Sequence, residues 1–513
     1  MDTDQQGFLK TSVPKLMLVA NIVLALFYFI AITFFFERGN TVLFWLLIFG
    51  EVFHVWQVLT FIHTIWDTEY VAPRDLGFTP PVNVFITVAG EPAEIVEETV
   101  RAALRMDYPN FKVYVLNDGY VAKKENWEEI EKLAIRLGAF CITRLVPGGA
   151  KAGNINHALS FTANPFVAIF DADHVPARNF LKETMPYFVD PKLAYVQTPQ
   201  FYKNHELNSV TGGAWEQQTL FYGPICKGRN RLNSVAMCGT NMVIRRTALD
   251  DVGGMREESI TEDFLTGFLM HKRGWRSLYV PRVLASGRAP EDFLSYAKQQ
   301  SRWARGGLDL LFRHNLLFAR GLTFSQRVQY LSSLTFFLSG WIVLVDALFP
   351  IIFFFTGLFP IKSSTMALAA IFLPYIFITL YTIQRSCNFS FTFRSLAFSM
   401  SGFNLQIKSS LAAFFHHNTK FAITSKYAVS GNFAKFVVPQ IIYLMLVAGG
   451  VSYAVVRGGV TPSLITNFAW ALLNAVIFGE FIKAALPNRK AVPLEVVQNE
   501  SLSPWERIEI PRR

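Results

Sequence analysis

Apolar residues crowd the start and the last third of this chain, and alternate with polar ones through its middle. Leu16 to Phe36 carries no formal charge, and a helix of that length crosses a ~30 Å hydrocarbon core. The run is too long, and too poorly followed by small residues, for a signal peptide. Beyond the turn Glu37-Arg38-Gly39-Asn40, a second apolar stretch covers Thr41 to Trp66. The last third adds Tyr330–Phe359, Thr365–Ile383, Phe436–Val456 and Leu464–Ala485, which makes six expected membrane spans.

The middle has a different rhythm. Val82–Val88, Lys112–Leu116, Phe140–Arg144 and Phe166–Phe170 read as short apolar strands. Ala93–Arg105, Asn126–Leu137 and Asn154–Phe161 read as helices between them. This order predicts an α/β domain with a mainly parallel sheet, whose ligands bind beyond the carboxyl ends of the strands.

Composition agrees with that division. Of the 513 residues 51% are hydrophobic and only 17% charged, against about a quarter in ordinary soluble domains. Lys10 and Lys15 precede the first span. Arg385, Arg394, Lys408, Lys420, Lys426 and Lys435 lie between the fourth and fifth, and Arg489 and Lys490 follow the sixth. The opposite loops hold only Arg38, Lys362 and Arg457. The positive-inside rule then puts both termini and the middle domain in the cytoplasm of a multi-pass inner-membrane protein. The expected divisions are two spans in 1–66, a cytosolic domain with an interfacial segment in 67–327, four spans in 328–485 and a tail in 486–513. Ala304–Phe324 is expected on the inner leaflet. The net charge of +10 has no basic run dense enough for nucleic acid, and membrane loops account for it. The scattered Cys141, Cys226, Cys238 and Cys387 predict reduced thiols rather than disulfides or a zinc site.

Candidate chemistry sits at the strand ends. Asp171-Ala172-Asp173-His174 closes a strand with two carboxylates, oxygen ligands for a hard divalent cation bound to phosphate, and His174 could add a nitrogen. Alone, such a pair reads more often as a solvated acidic turn after a strand. Asp118 ends an earlier strand, where it could accept hydrogen bonds from a base or ribose. Thr261-Glu262-Asp263 adds further acids. Gln299-Gln300-Ser301-Arg302-Trp303 offers two amides, a guanidinium suited to phosphate and an indole face for a sugar ring. Val146–Gly153 lacks the GK[ST] ending of an ATP-binding phosphate loop.

In this order, Asp118, Asp171-x-Asp173, Thr261-Glu262-Asp263 and Gln299-Gln300-x-Arg302-Trp303 resemble the D, DxD, TED, Q(Q/R)xRW signature of processive family 2 glycosyltransferases. Lys151-Ala-Gly-Asn-Ile-Asn156, Val196-Gln-Thr-Pro-Gln200 and Gly239-Thr240 match as well. Phe421-Ala-Ile-Thr424-Ser-Lys426 is similar to the gating loop of bacterial cellulose synthase catalytic subunits, within the interfacial region 385–435. The resemblance runs from about Val82 to Ala485.

It implies a GT-A-like domain and inverting transfer of glucose from UDP-glucose to a growing β-glucan that leaves through the spans. Asp263 would be the general base beside Glu262. Asp118 would meet the uridine, with Thr87 and Glu91 near. Asp171, Asp173 and His174 would hold ribose, diphosphate and Mg2+ or Mn2+, and Lys151 would bind donor. Gln299 and Arg302 would steady the pyrophosphate, Trp303 would stack on the acceptor sugar and Cys238 would lie near its end. Phe421, Thr424 and Lys426 would close over the UDP-sugar.

Expected partners are that donor, a polysaccharide acceptor, the bilayer and a periplasmic accessory subunit, with no nucleic acid. Another β-linked polymer (mixed-linkage or β-1,3-glucan, mannan, chitin), a glycolipid product, or a transporter or scaffold with an inactive sugar-nucleotide domain stay open. Thr87-Val88-Ala89-Gly90-Glu91-Pro92 and Asn117 depart from the usual pattern. Two leading spans rather than four, and a tail too short for a cyclic-di-GMP-binding PilZ domain, predict different regulation. Glu51 and Asp346 lie inside spans, where they need protein or water. They read either as part of a polar, aromatic path for the product beside Trp341 or as an interhelical hydrogen bond, with His54 and His63 as helix contacts.

Overall fold

The computed structural model describes residues 3–314, 316, 318–416 and 431–486. Among the described residues, six helices are long and apolar enough to cross a membrane: Lys15–Phe35, Thr41–Ile65, Phe324–Thr356, Thr365–Ser386, Val438–Gly458 and Pro462–Ala485. All six coincide with the expected runs. The second is capped by Asn40, whose Oδ1 accepts from the amides of Val42 and Leu43, so two otherwise unpaired helix donors are satisfied. The preceding Glu37–Arg38, expected as a turn, pairs antiparallel with Ile361–Lys362.

Between the second and third spans, strands β1 (Val82–Val88), β2 (Phe111–Asn117), β3 (Phe140–Thr143), β4 (Phe166–Asp171), β5 (Leu193–Gln197), β6 (Met242–Arg245) and β7 (Arg276–Tyr279) form one sheet. Their spatial order is β7-β5-β6-β4-β1-β2-β3. Pairings are parallel except at β6, which runs antiparallel to both β4 and β5. Helices α1 (Ala93–Leu104), α2 (Trp127–Leu137) and α3 (Ala150–Ser160) are the crossovers.

Every residue of β1 is buried, as expected of a strand covered on both faces. Val82, Val84, Ile86 and Val88 pack on one face with Val96 and Val100 of α1 and Ile130 and Leu133 of α2. Phe85 packs on the other with Ala152 and Ile155 of α3. That second core continues into the membrane part through Phe398, Phe481 and Ala485.

Three further helices matter to the site: α4 (Glu262–Lys272), α5 (Phe293–Arg313) and α6 (Phe403–Phe414). The first part of the expected interfacial linker continues α5. Ala304, Arg305, Gly306, Gly307 and Leu308 are buried within α5, which packs along α6; the Ser409 hydroxyl donates to the Ser301 carbonyl at 3.3 Å. Gly306 lies against Thr261, just before α4, and Gly307 against Leu334 and Phe337 of the third span.

Glu51 is buried and accepts from the Tyr28 hydroxyl of the first span at 2.7 Å, the interhelical hydrogen bond of the second reading. His54 lies beside it, with Nδ1 3.5 Å from Glu51 and Nε2 3.8 Å from Asp346. The Trp341 indole donates to Ser410 of α6 at 2.8 Å.

Candidate active site

The parallel register aligns the ends of neighbouring strands. Thr87 of β1 stands opposite Leu116 of β2 and Asp171 of β4, so Asp118 and Asp171 emerge on either side of β1. They open onto a cleft of about 460 Å³. Thr87, Glu91, Asp118, Lys151, Asp171, Asp173 and His174 line it from the sheet edge and α3, and Cys238, Glu262, Asp263, Gln299, Arg302 and Trp303 from the opposite wall. Every expected site residue among the described positions therefore meets in one cavity. Phe421, Thr424 and Lys426 lie outside the described residues.

At one end, Asp118 is held by Arg144, whose Nε and Nη2 donate to its two oxygens at 2.8 and 2.6 Å. Burial pushes this carboxyl up, and the guanidinium opposes the shift. Glu91 folds back to accept from the Ala89 amide at 2.6 Å.

In the centre, Lys151 at the start of α3 bonds the Asp171 carboxylate and donates to the Gly239 carbonyl at 2.9 Å. Burial works against the ammonium, but Asp171, Glu262 and Asp263 outweigh it and hold the lysine charged. The Thr87 hydroxyl also donates to Asp171 at 3.3 Å. Among the described residues no three His, Cys, Asp or Glu side chains are drawn together as a cluster in the absence of a metal. Asp171 already has a cation in Lys151. Asp173 and His174 fit a metal better. They are buried side by side, with His174 Nδ1 3.4 Å from an Asp173 oxygen, and neither His174 ring nitrogen has a hydrogen-bond partner among the described residues.

At the other end, Glu262 and Asp263 open α4. Burial and the adjacent Asp263 raise Glu262; burial raises Asp263, against the Phe264 amide and the charges of Lys151 and Arg302. The Phe264 amide donates to Asp263 at 2.8 Å. Gly239, at φ +77°, faces it; a Cβ there would lie 2.8 Å from Asp263 Oδ2. Beside it, burial pushes the Cys238 thiol up to about 12, so it stays a neutral, weakly polar wall.

Residues 80–306 match the family described as glycosyltransferase like family 2, and residues 250–387 the family described as cellulose synthase. Residues 80–306 are a family 2 glycosyltransferase domain. In this glycosyltransferase domain the mainly parallel sheet sits between two sets of spans. Putative cellulose synthase 2 of Komagataeibacter xylinus is 32% identical over 459 residues, covering 84% of this chain and 30% of that protein. The UDP-forming cellulose synthase catalytic subunit of Komagataeibacter sucrofermentans is 31% identical over 430 residues, 79% of this chain and 56% of that protein. The chain thus spans between 30% and 56% of these relatives' lengths. Among solved structures, the mannosyltransferase PcManGT of Pyrobaculum calidifontis, in complex with GDP-Man and Mn2+, is similar at TM-score 0.49 and 17% identity, over 72% of this chain and 97% of that one.

The glycosyltransferase cleft also has walls that no acid motif marks: Arg144, Asn154, Gln200, Tyr202, Arg288 and Glu291. Asn154 and Gln200 fall inside recognised motifs without a role of their own. Arg144 had a legible signal, since it follows Thr143 as Asp118 follows Asn117, and those two residues are register partners.

Proposed function

We propose that this chain transfers glucose from UDP-glucose, with inversion, to a growing β-linked glucan of the cellulose type and passes the product out through its spans. The observation that carries this reading is the convergence of the nucleotide-end acid Asp118, the central Lys151–Asp171 pair and the raised Glu262–Asp263 acids in one cleft. The relatives named above as cellulose synthases support the product class.

The chain's own residues supply most of the chemistry. Asp263, ionised, takes the proton from the acceptor hydroxyl, whose oxygen attacks the anomeric carbon from the face opposite the leaving UDP. A base of this kind contributes about 10²–10⁴-fold. Lys151 and Arg302 bring positive charge to the diphosphate as the glycosidic bond breaks. Trp303 offers a flat apolar face to the acceptor ring, and its helix fixes it relative to Asp263. Asp173 and His174, with Asp171 beside them, would hold Mg2+ or Mn2+, which when bound neutralises charge building on the UDP leaving group.

The second core, shared by the sheet and the last span, keeps the acceptor wall next to the membrane bundle. With the domain on the cytoplasmic side, donor enters from the cytosol and product leaves beyond the membrane, where an accessory subunit could receive it. Purified protein in lipid nanodiscs, given radiolabelled UDP-glucose and Mg2+ or Mn2+, should release UDP and form a polymer cut by a β-1,4-glucanase. A product cut only by β-1,3-glucanase, mannanase or chitinase, or made only from another donor, would replace cellulose with that polymer. Turnover undiminished in Asp263→Asn would remove the assigned base.

A further inference from the structure

β3 ends at Thr143, and Arg144, the next residue, ties together three separate pieces of the cleft. Its guanidinium grips both oxygens of Asp118 side-on, at 2.8 and 2.6 Å. The same group donates to the Gly148 carbonyl, and to that of Ala150 at 3.1 Å, so it also fixes the loop that enters α3. Its backbone amide donates to the Asn117 carbonyl at 3.1 Å, which continues the β2–β3 ladder by one step. Both residues are almost wholly buried, at 6% exposure each. The approach of α3 depends on Gly153: a Cβ there would lie 2.2 Å from the Gly148 oxygen and 2.6 Å from Arg144 Nη1. Two residues before that glycine is Lys151, bonded to Asp171 and the Gly239 carbonyl.

We propose that Arg144 is a positioning residue that holds Asp118 as a pure hydrogen-bond acceptor toward the donor's base, and so selects a base presenting an N–H at that edge, as uracil does at N3. The inference rests on the UDP-sugar reading above. A forked guanidinium fixes the carboxylate plane and leaves one lone pair on each oxygen. It also opposes the burial that drives Asp118 toward its protonated form. A protonated carboxyl could donate as well as accept, and would then tolerate cytosine, whose N3 is an acceptor. Lysine, a point charge without the fork, would keep the ionisation and lose the aim. Because the same guanidinium holds the loop before Lys151, the grip on the base and the grip on the diphosphate share one anchor.

A plain structural ion pair would affect all nucleotides alike, so base selectivity is the discriminating readout. UDP and CDP dissociation constants should be measured by calorimetry on the full chain in nanodiscs, for the unaltered protein, Arg144→Met and Arg144→Lys, with donor KM and kcat in parallel. The unaltered protein should prefer UDP. Arg144→Met should weaken UDP binding roughly 10- to 100-fold, the loss of a charge-assisted hydrogen bond, while CDP changes little. Donor KM should rise more than kcat falls, and Arg144→Lys should recover part of the preference. If Arg144→Met fails to fold, Arg144→Lys carries the test through the same UDP-to-CDP ratio. An unchanged ratio in the folded variants overturns the inference and leaves the donor reading standing. An unaltered chain that does not prefer UDP overturns the donor reading, and this inference with it.

Discussion

The two ends of the cleft bury carboxylates in opposite ways. At the nucleotide end, Asp118 receives a guanidinium aligned with both its oxygens, and the pair is locked into backbone carbonyls. At the acceptor end, Glu262 and Asp263 are sequence neighbours whose carboxyls burial raises, and the charges of Lys151 and Arg302 oppose that shift. A paired buried carboxylate is a fixed recognition element, because either of its partners is costly to remove. A crowded buried carboxylate is a poised base, because burial lifts its pKa toward the working pH. On the proposed function, one cleft separates binding from proton transfer by the way it compensates charge.

The sharpest break of this contrast is Asp263→Asn. Product formation should fall about 10²–10⁴-fold, while UDP affinity, read by calorimetry, stays near the unaltered value. Equal losses in both would mean that the two ends are not separate. Gly239→Ala comes next. The added methyl would press on Asp263 Oδ2 and sit at a strained φ, so turnover should drop on the order of 100-fold with little change in donor KM.

The pH profile sharpens the comparison further. As the proposed base, Asp263 must be ionised, and its carboxyl is raised mainly by burial. The acid limb of kcat/KM should therefore lie above the ordinary carboxylate range, with the rate rising as pH increases through it. A limb at or below pH 4 would contradict the raised acid. The smallest effect is expected far from the cleft, at Tyr28→Phe. Removing the single hydrogen bond to Glu51 should cost about 1 kcal/mol, seen as a small fall in thermal midpoint with turnover kept.

Much of this was legible in the chain. A span needs only an uninterrupted apolar run, because lipid imposes one length on every helix that crosses it, and all six runs were found. Strands buried on both faces announce themselves as continuous β-branched stretches, so β1 and β4 were read nearly to the residue. The acids at their carboxyl ends followed, since a parallel sheet presents ligands there. The antiparallel insertion of β6 was not legible, because strand order depends on which edges pair across dozens of residues. Nor was the burial of Ala304–Leu308, since a glycine-rich amphipathic helix fits a helix partner as well as a bilayer surface.

By itself the sequence determined the local facts: which segments are apolar, where strands stop, and which acids, amides and aromatics stand at those stops. Tertiary structure alone decided compensation. Arg144 and Asp118 are 26 positions apart, and Lys151 and Gly239 are 88 apart; only the parallel register and the packing of α3 bring them together. The energy of a buried charge depends on neighbours within a few ångströms, and chain order does not specify those neighbours until the sheet has closed.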